Sequence, residues 1–277
     1  LEENLNIPSF LTGICIAALV ALVIIGGIKR IGKVASRIVP FMCVLYVGGA
    51  LIILFLNLDK IPWAFGLILK HAFTPTSAAG GFLGATVSQT ISFGVARGLF
   101  SNEAGLGSAS IAHSAAKTSE PVREGMVAML GPFVDTLVIC SMTALVIIIT
   151  GAWSSGLTSS PLSAEAFNIG LPGYGKWIVT FGLVFFAYST MLTWSYYGDR
   201  ATEYILGSKA VMPYRWIFVL LIPVGAYVKI DFVWLFTDIT NGLMAFPNLI
   251  GILGLSGVGA KMLKDYLSRE QKPVRRI

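Results

Sequence analysis

The sequence predicts an all-α, polytopic transmembrane helical bundle, and three observations support this prediction. Hydrophobic residues make up 55% of the 277 residues and charged residues only 12%, whereas a soluble domain carries about 25% charged residues. Apolar runs near the length of about 20 residues that a bilayer core requires recur along the chain. Basic residues collect at the ends of those runs. The mean hydropathy of +0.78 agrees with these patterns.

Seven apolar segments are predicted as membrane spans. They cover residues 7–28, 38–57, 79–116, 125–150, 176–197, 214–228 and 232–260. The segment 61–73 is too short to span and carries Trp63, Phe65 and Phe73, so it is predicted to form a helix at the outer membrane surface. The Ser-, Gly- and Pro-rich residues 153–175 are predicted to form a structured outer connection.

The distribution of Lys and Arg predicts the orientation of the spans. Fifteen of these residues fall on one side, four fall on the other, and Arg97 lies within a span. Basic loops stay on the cytoplasmic side, so we expect Leu1 outside and Ile277 in the cytoplasm, after a basic tail over 261–277. Topology accounts for the net charge of +6 without a nucleic-acid partner.

Cofactor and enzyme chemistry find little support in the sequence. Cys15, Cys43 and Cys140 lie within apolar runs without motif spacing, so they predict neither a disulfide framework nor a metal site. His71 and His113 fall on opposite predicted sides of the membrane, and no nucleophile–base pair or metal triad is evident. We therefore expect no enzyme activity and no cofactor. His113 is interpreted as an interfacial histidine, with a proton carrier as the alternative.

The third predicted span is too long and too polar for a simple helix. It contains seven glycines within 79–116, together with Ser, Thr, Asn and Gln side chains. Irregular backbone at membrane depth is tolerated where it is buried in protein or lines a watery cavity, so we expect an interrupted helix there. Half-helix ends favour opposite charges and can hold a zwitterion and a small cation. The alternative for Gly94, Gly98 and Gly105 is close helix packing.

Three ionisable residues lie within predicted spans and are candidates for gating or coupling: Arg97, Glu103 and Asp135. Such residues are costly in a span unless they are paired or wetted. An interruption between Arg97 and Glu103 could bring them together as a gate pair. Asp135 is interpreted as a structural partner of Arg97 or of the backbone at Pro132, with cation coupling as the alternative.

The fifth predicted span places Thr190, Thr193, Trp194 and Tyr197 on one helix face. Hydroxyl oxygens suit an alkali cation, and Trp194 offers an apolar wall to a small ligand. The alternative is that the hydroxyls bond to carbonyls of the preceding turn and that Trp194 belongs to an interfacial belt.

The stretch RGLFSNEAGLGSASIAH, continued by KTSEPVREGMVAMLGPFVDTLVICSMTALVI, resembles the alanine or glycine:cation symporter family. The resemblance extends over essentially the whole chain. It implies a LeuT-type inverted-repeat fold, of which only the C-terminal seven helices are expected here. Residues 1–60 would be the last two helices of the first repeat, 61–78 an interfacial helix and loop, and 79–260 the five-helix second repeat. Family members have further N-terminal helices, which would be partners of this chain, so the chain is expected to come from inside a longer polypeptide.

The resemblance also implies a function and a set of site residues. It implies cotransport of sodium with alanine or glycine across the inner membrane of a bacterium or archaeon, by alternating access. Candidates for substrate contact are Ser92, Gly94, Gly98, Phe100, Asn102 and Trp194. Candidates for sodium binding are Ser189, Thr190 and Thr193. Proton-coupled transport and an ion channel remain the alternatives, and the preferred amino acid stays open.

Overall fold

The computed structural model describes residues 7–73 and 87–269, and all regular elements in that part of the chain are helices. The α-helices are α1 (Ser9–Ile24), α2 (Ile28–Leu56), α3 (Ile61–Phe73), α4 (Val87–Asn102), α5 (Ser108–His113), α6 (Pro121–Pro132), α7 (Ser141–Ile149), α8 (Ser159–Gly170), α9 (Gly175–Leu206), α10 (Val211–Tyr227) and α11 (Ile230–Ser268). A π-helix, Phe133–Cys140, joins α6 to α7. The prediction of an all-α protein is confirmed for these residues. The start of the third predicted span, the connection 74–78, Leu1 and the end of the basic tail lie outside them.

Among the described residues, five helices are long and apolar enough to cross a membrane: Ile28–Leu56, Pro121–Ile149, Gly175–Leu206, Ser208–Tyr227 and Ile230–Ser268. The first predicted span is a shorter apolar helix, α1. The third predicted span is divided into α4 and α5. The chain is thus a helical membrane protein, with seven predicted spans represented by five long helices, one shorter helix and one divided helix.

Several predicted boundaries were wrong because an apolar run ends at the first charged residues, whereas the helix continues through them. The second span was predicted from residue 38, but α2 begins at Ile28, directly after Gly27 with φ of 73°. The intervening Lys, Arg and Ala residues are good helix formers. Likewise α9 continues past Tyr197 to Leu206, and α11 has 39 residues.

Two apolar clusters hold the bundle together at opposite ends of α2 and α9. The first cluster joins the second half of α2 to α3, α7, α8 and the start of α9, around Ile53, Val146 and Phe167. The second joins α1 to the start of α2, the later part of α9 and α10, around Ile24 and Leu192. The two long helices therefore act as the scaffold against which the other helices pack.

The two predicted outer segments are ordered helices. The segment 61–73 forms α3, which buries Ala64 while Trp63 and Phe65 are exposed. The connection 153–175 contains a 3₁₀ turn, Ala152–Ser154, and α8. A β-carbon at Gly175 would lie 1.8 Å from the Phe167 carbonyl oxygen, so α8 and α9 meet backbone to backbone. The structured connection is confirmed, and its placement outside the membrane stays a prediction.

Candidate functional site at the broken helix

The helix predicted to be interrupted is broken between Asn102, the end of α4, and Ser108, the start of α5. Gly105 and Gly107 adopt φ of 79° and 89°, which glycine reaches without steric cost. Glu103 also has a positive φ, 54°, a conformation that costs a non-glycine residue about 1 kcal/mol or more. The Asn102 side chain accepts a hydrogen bond from the Ala104 amide at 2.9 Å and so stabilises the turn.

The end of α4 is held against the π-helix by two polar contacts. Ser101 Oγ donates to Asp135 Oδ2 at 2.6 Å, and Asn102 Nδ2 donates to Thr136 Oγ1 at 3.2 Å. Sequence reasoning found Asp135 but missed the π-helix, which is the kind of element that often occurs at functional sites. Pro132 directly before it is the one local sign, because proline cannot donate the regular helical hydrogen bond.

Arg97 contacts the last helix rather than either of the partners expected for it. Its Nη2 atom lies 2.7 and 2.6 Å from the two carboxylate oxygens of Asp238. Its guanidinium also lies 4.3 Å from the centre of the Trp234 ring. Arg97 is thus paired with Asp238 rather than with Glu103 or Asp135 in this structure, and a gating or coupling role of these residues stays a prediction. Distance in sequence hid Asp238, which is 141 positions away.

Other contacts tie the broken segment to α9 and α11. The Glu103 carboxylate lies near the Tyr197 side chain of α9. Asn248 of α11 donates to the Gly105 carbonyl at 2.9 Å, which satisfies a carbonyl that the interruption leaves outside the helix. Phe100 packs edge-on against Trp234 with ring centres 5.2 Å apart. The break is thus surrounded by the π-helix, α9 and α11.

The predicted cation-binding residues of α9 divide between two environments. Ser189 is buried, and its hydroxyl donates to the Phe186 carbonyl at 3.0 Å. Thr193 donates to the Ser189 carbonyl at 3.0 Å, whereas Thr190 is exposed. These bonds are the backbone contacts anticipated as the alternative. Each donating hydroxyl still has lone pairs that can face a cation.

Trp194 connects this face of α9 to the break through Tyr197. The two rings meet edge to face with centres 5.7 Å apart, and Tyr197 in turn lies near Glu103. Trp194 is thus separated from the broken segment by the Tyr197 ring, and its role as a pocket wall stays a prediction. The structure does not bring the Ser189 hydroxyl to the same surface as Thr190.

The remaining predicted substrate-contact residues lie on α4 but not on one face, because Gly94 and Gly98 share an open face and Ser92 lies on the other side of the helix. Ser92 is exposed. A β-carbon at Gly94 or Gly98 would meet no atom of the described chain within 4 Å. Close packing against another described helix therefore does not explain these two glycines.

A further polar group beside the break escaped sequence analysis. The Ser108 side chain at the start of α5 is 1% exposed, and its hydroxyl has no hydrogen-bond partner among the described residues. Buried hydroxyls are almost always hydrogen-bonded, so an isolated one beside an irregular turn suits a polar ligand or ion. It was missed because a serine in a run of small residues resembles a packing residue.

Residues away from the break occupy plainer environments. His113 Nδ1 lies 2.6 Å from Glu124 Oε1, at the junction of α5 and α6. Cys15, Cys43 and Cys140 are free thiols. Within residues 7–73 and 87–269, no group of three or more His, Cys, Asp or Glu side chains is placed to hold a metal ion.

Comparison with known proteins shows which family this chain belongs to. Residues 1–276 match the sodium:alanine symporter family. The chain belongs to that family. It is 48% identical over 268 residues to the sodium/alanine symporter AgcS of Methanococcus maripaludis, covering 95% of this chain and 58% of that protein. It is 47% identical over 271 residues to an uncharacterized transporter of Haemophilus influenzae, covering 97% and 59%.

A third relative is described as a sodium/proton-dependent alanine carrier protein, from Bacillus sp. strain PS3. The chain is 33% identical to it over 280 residues, covering 94% of this chain and 62% of the carrier. The chain thus spans less than two thirds of the length of these relatives. The family consists of transporters of amino acids and sodium. This agrees with the prediction that the chain is a membrane transport protein.

Proposed function

We propose that this chain contributes to sodium-coupled symport of a small neutral amino acid, such as alanine or glycine, by alternating access. The observation that carries the proposal is the break between Asn102 and Ser108, lined by polar groups from three other elements. A transporter needs a polar site at membrane depth, and an interrupted helix provides backbone groups that are not used in regular helical hydrogen bonds. No covalent chemistry is required of it.

The proposed arrangement is a LeuT-type inverted repeat with Leu1 outside and Ile277 in the cytoplasm of a bacterial or archaeal cell. Residues 1–60 would then complete a first repeat, and residues 79–260 would form the second. Other helices of a protein of its relatives' length would cover the open face of α4 at Gly94 and Gly98. This division follows from the resemblance and from the position of the broken helix.

Substrate would bind along the open face of α4 and at the break. Backbone would approach it at Gly94 and Gly98, where nothing in the described chain stands in the way. The side chains of Phe100 and Asn102, next to the break, and of Ser92, on the other side of α4, are the further candidates for substrate contact. Trp194 would limit the size of the side chain, because a close-packed wall discriminates against each extra methylene by about 1 to 3 kcal/mol.

Sodium would bind to the hydroxyls of α9, at Ser189, Thr190 and Thr193. A monovalent cation that enters gains about 2.3 kcal/mol from a membrane potential of about 100 mV, which can drive accumulation. Coupling requires that sodium and the amino acid each strengthen the binding of the other.

Proton coupling is a second candidate that two observations favour. Asp135 and Glu103 are carboxylates at the break, and Asp135 accepts a hydrogen bond from Ser101, a hydroxyl side chain that can pass on a proton. One relative is described as sodium/proton-dependent. Protons could therefore accompany or replace sodium.

The test is uptake of labelled alanine into proteoliposomes by a protein of its relatives' full length that carries these residues. An inward sodium gradient should drive accumulation, and an equal potassium gradient should not. Thr190→Ala should raise the sodium concentration needed for half-maximal uptake, whereas Thr190→Ser, which keeps the hydroxyl, should stay near wild type. Equal uptake in potassium would reject sodium coupling and turn attention to Asp135 and Glu103.

A further inference from the structure

The first three turns of α2 carry four cations within nine residues: Lys29, Arg30, Lys33 and Arg37. Lys29, Lys33 and Arg37 follow one another at every fourth position, so they lie on one face of the helix over about 12 Å. All three are exposed. We call these three residues the basic stripe.

The basic stripe is not neutralised by the rest of the described chain. No hydrogen bond or ion pair engages the side chains of Lys29, Lys33 or Arg37 within residues 7–73 and 87–269. The sequence has no acidic residue between Glu3 and Asp59. Arginines elsewhere differ, since each of the following contacts an acidic or aromatic side chain: Arg97, Arg123, Arg200, Arg215 and Arg269.

The opposite face of the same turns is anchored in the protein. Ile31 is 5% exposed and Val34 packs against the same apolar cluster, which joins α1, α2, α9 and α10. Arg30, the fourth cation, turns away to donate to the Leu22 carbonyl at 2.7 Å. The stripe is therefore presented outward by a helix that cannot rotate without exposing Ile31.

The position of the stripe relative to a bilayer follows from helix length. The 29 residues of α2 extend about 43 Å, whereas the hydrocarbon core is about 30 Å thick. The apolar part of the helix follows the stripe, so when α2 crosses the membrane its first turns emerge at the level of the lipid phosphates. Membrane topology alone requires positive charge at this end of α2, but it does not require that the cations share one face of the helix.

We infer that the basic stripe binds the phosphate headgroups of anionic phospholipids at the membrane surface. The cations are unpaired in the described chain, share one exposed face and directly precede a membrane span, so they lie at the depth of the lipid phosphates, which carry the opposite charge. Zwitterionic lipids carry a phosphate whose charge is balanced, so they should bind more weakly. The inference does not depend on which solute the protein carries.

The test measures the affinity of the purified protein in detergent for fluorescent phosphatidylglycerol and for fluorescent phosphatidylcholine. Wild type should prefer phosphatidylglycerol. Lys29→Gln, Lys33→Gln and Arg37→Gln together should weaken that binding by about tenfold or more and leave phosphatidylcholine binding unchanged. The conservative variant with Lys29→Arg, Lys33→Arg and Arg37→Lys should retain the preference. Salt at about 1 M should remove it.

A matched control removes the same charge elsewhere. Lys60→Gln, Lys176→Gln and Lys229→Gln together also lower the net charge by three but affect three separate elements. Equal loss in this control would attribute the preference to net charge and overturn the proposal, as would unchanged lipid binding in the stripe variant. Binding of polyglutamate is measured in parallel as a probe for an acidic protein partner. If the stripe variant loses polyglutamate binding but keeps lipid binding, the stripe recognises an acidic protein and the proposal is overturned.

Discussion

In the part of the chain that the structure describes, two arginine–aspartate pairs join helices, and their surroundings differ. Asp199 of α9 and Arg215 of α10 have side chains only 2% and 12% exposed and meet through three contacts of 2.7 to 3.1 Å. Arg97 of α4 and Asp238 of α11 meet at similar distances but are 38% and 44% exposed. The first pair lies beside a packed apolar cluster and the second beside a broken helix.

This difference in exposure indicates that the buried pair stabilises the fold, whereas the exposed pair contributes little to stability. A buried charge that loses its partner costs about 3 to 5 kcal/mol. An exposed pair contributes only about 0 to 1 kcal/mol. Stability therefore explains the Asp199–Arg215 pair but does not explain an arginine at position 97. The region of the broken helix should tolerate changes structurally while losing function.

Asp199→Ala should have the largest effect on stability. It would leave the Arg215 guanidinium buried and unpaired, so we expect the free energy of unfolding to fall by about 3 to 5 kcal/mol. Thermal unfolding of the purified protein in detergent measures this. The double variant Asp199→Leu with Arg215→Met removes both charges and should lose less. An unchanged melting temperature for Asp199→Ala would contradict the assignment of this pair to the fold.

Two glycines extend the comparison from charge to packing. Gly175→Ala places a β-carbon 1.8 Å from the Phe167 carbonyl oxygen, whereas Gly98→Ala meets no described atom within 4 Å. We expect Gly175→Ala to destabilise the protein by about 1 to 3 kcal/mol. Gly98→Ala should leave the melting temperature near wild type and reduce alanine uptake. Equal melting temperatures for the two variants would contradict the division into packed and open regions.

Composition and residue spacing could predict the helical class, most spans and the interruption in the third span. Glycines and polar residues at membrane depth are typical of interrupted helices, so the interruption after Asn102 could be predicted, whereas the role of its residues stays a prediction. Helix ends were less predictable, as at Ile28 and Leu206, because charged residues end an apolar run without ending a helix. The π-helix after Pro132 leaves only one local trace in the sequence.

Contacts between distant segments could not be predicted from one sequence. Arg97 was expected to pair with Glu103 or Asp135, because these were the carboxylates that stood out in spans. Its partner Asp238 lies in a helix whose periodicity gives no sign of its neighbour. Likewise Thr190 and Ser189 are adjacent in sequence but differ in burial. Such pairings depend on how helices pack, which spacing within one helix does not specify.

Arg97→Gln tests the exposed pair. Since both side chains are more than a third exposed, we expect a stability change below about 1 kcal/mol, together with a clear fall in sodium-driven alanine uptake. Asp238→Asn should act similarly. The exchange of Arg97→Asp with Asp238→Arg should recover part of the uptake if attraction between the two helices is what matters. Wild-type uptake in both single variants would remove this pair from the proposed function.

Thr193→Val should have the smallest effect on stability, because it replaces a hydroxyl bonded to the Ser189 carbonyl by an isosteric methyl group. Such bonds to the preceding turn stabilise a helix little. If Thr193 is a sodium ligand, the sodium concentration for half-maximal uptake should rise severalfold. Thr180 is a matched control on the same helix, since its hydroxyl bonds the Lys176 carbonyl at 2.8 Å in the same way. Thr180→Val should leave the sodium requirement unchanged. An equal rise in both variants would mean that helix geometry, rather than a ligand at position 193, sets the sodium requirement.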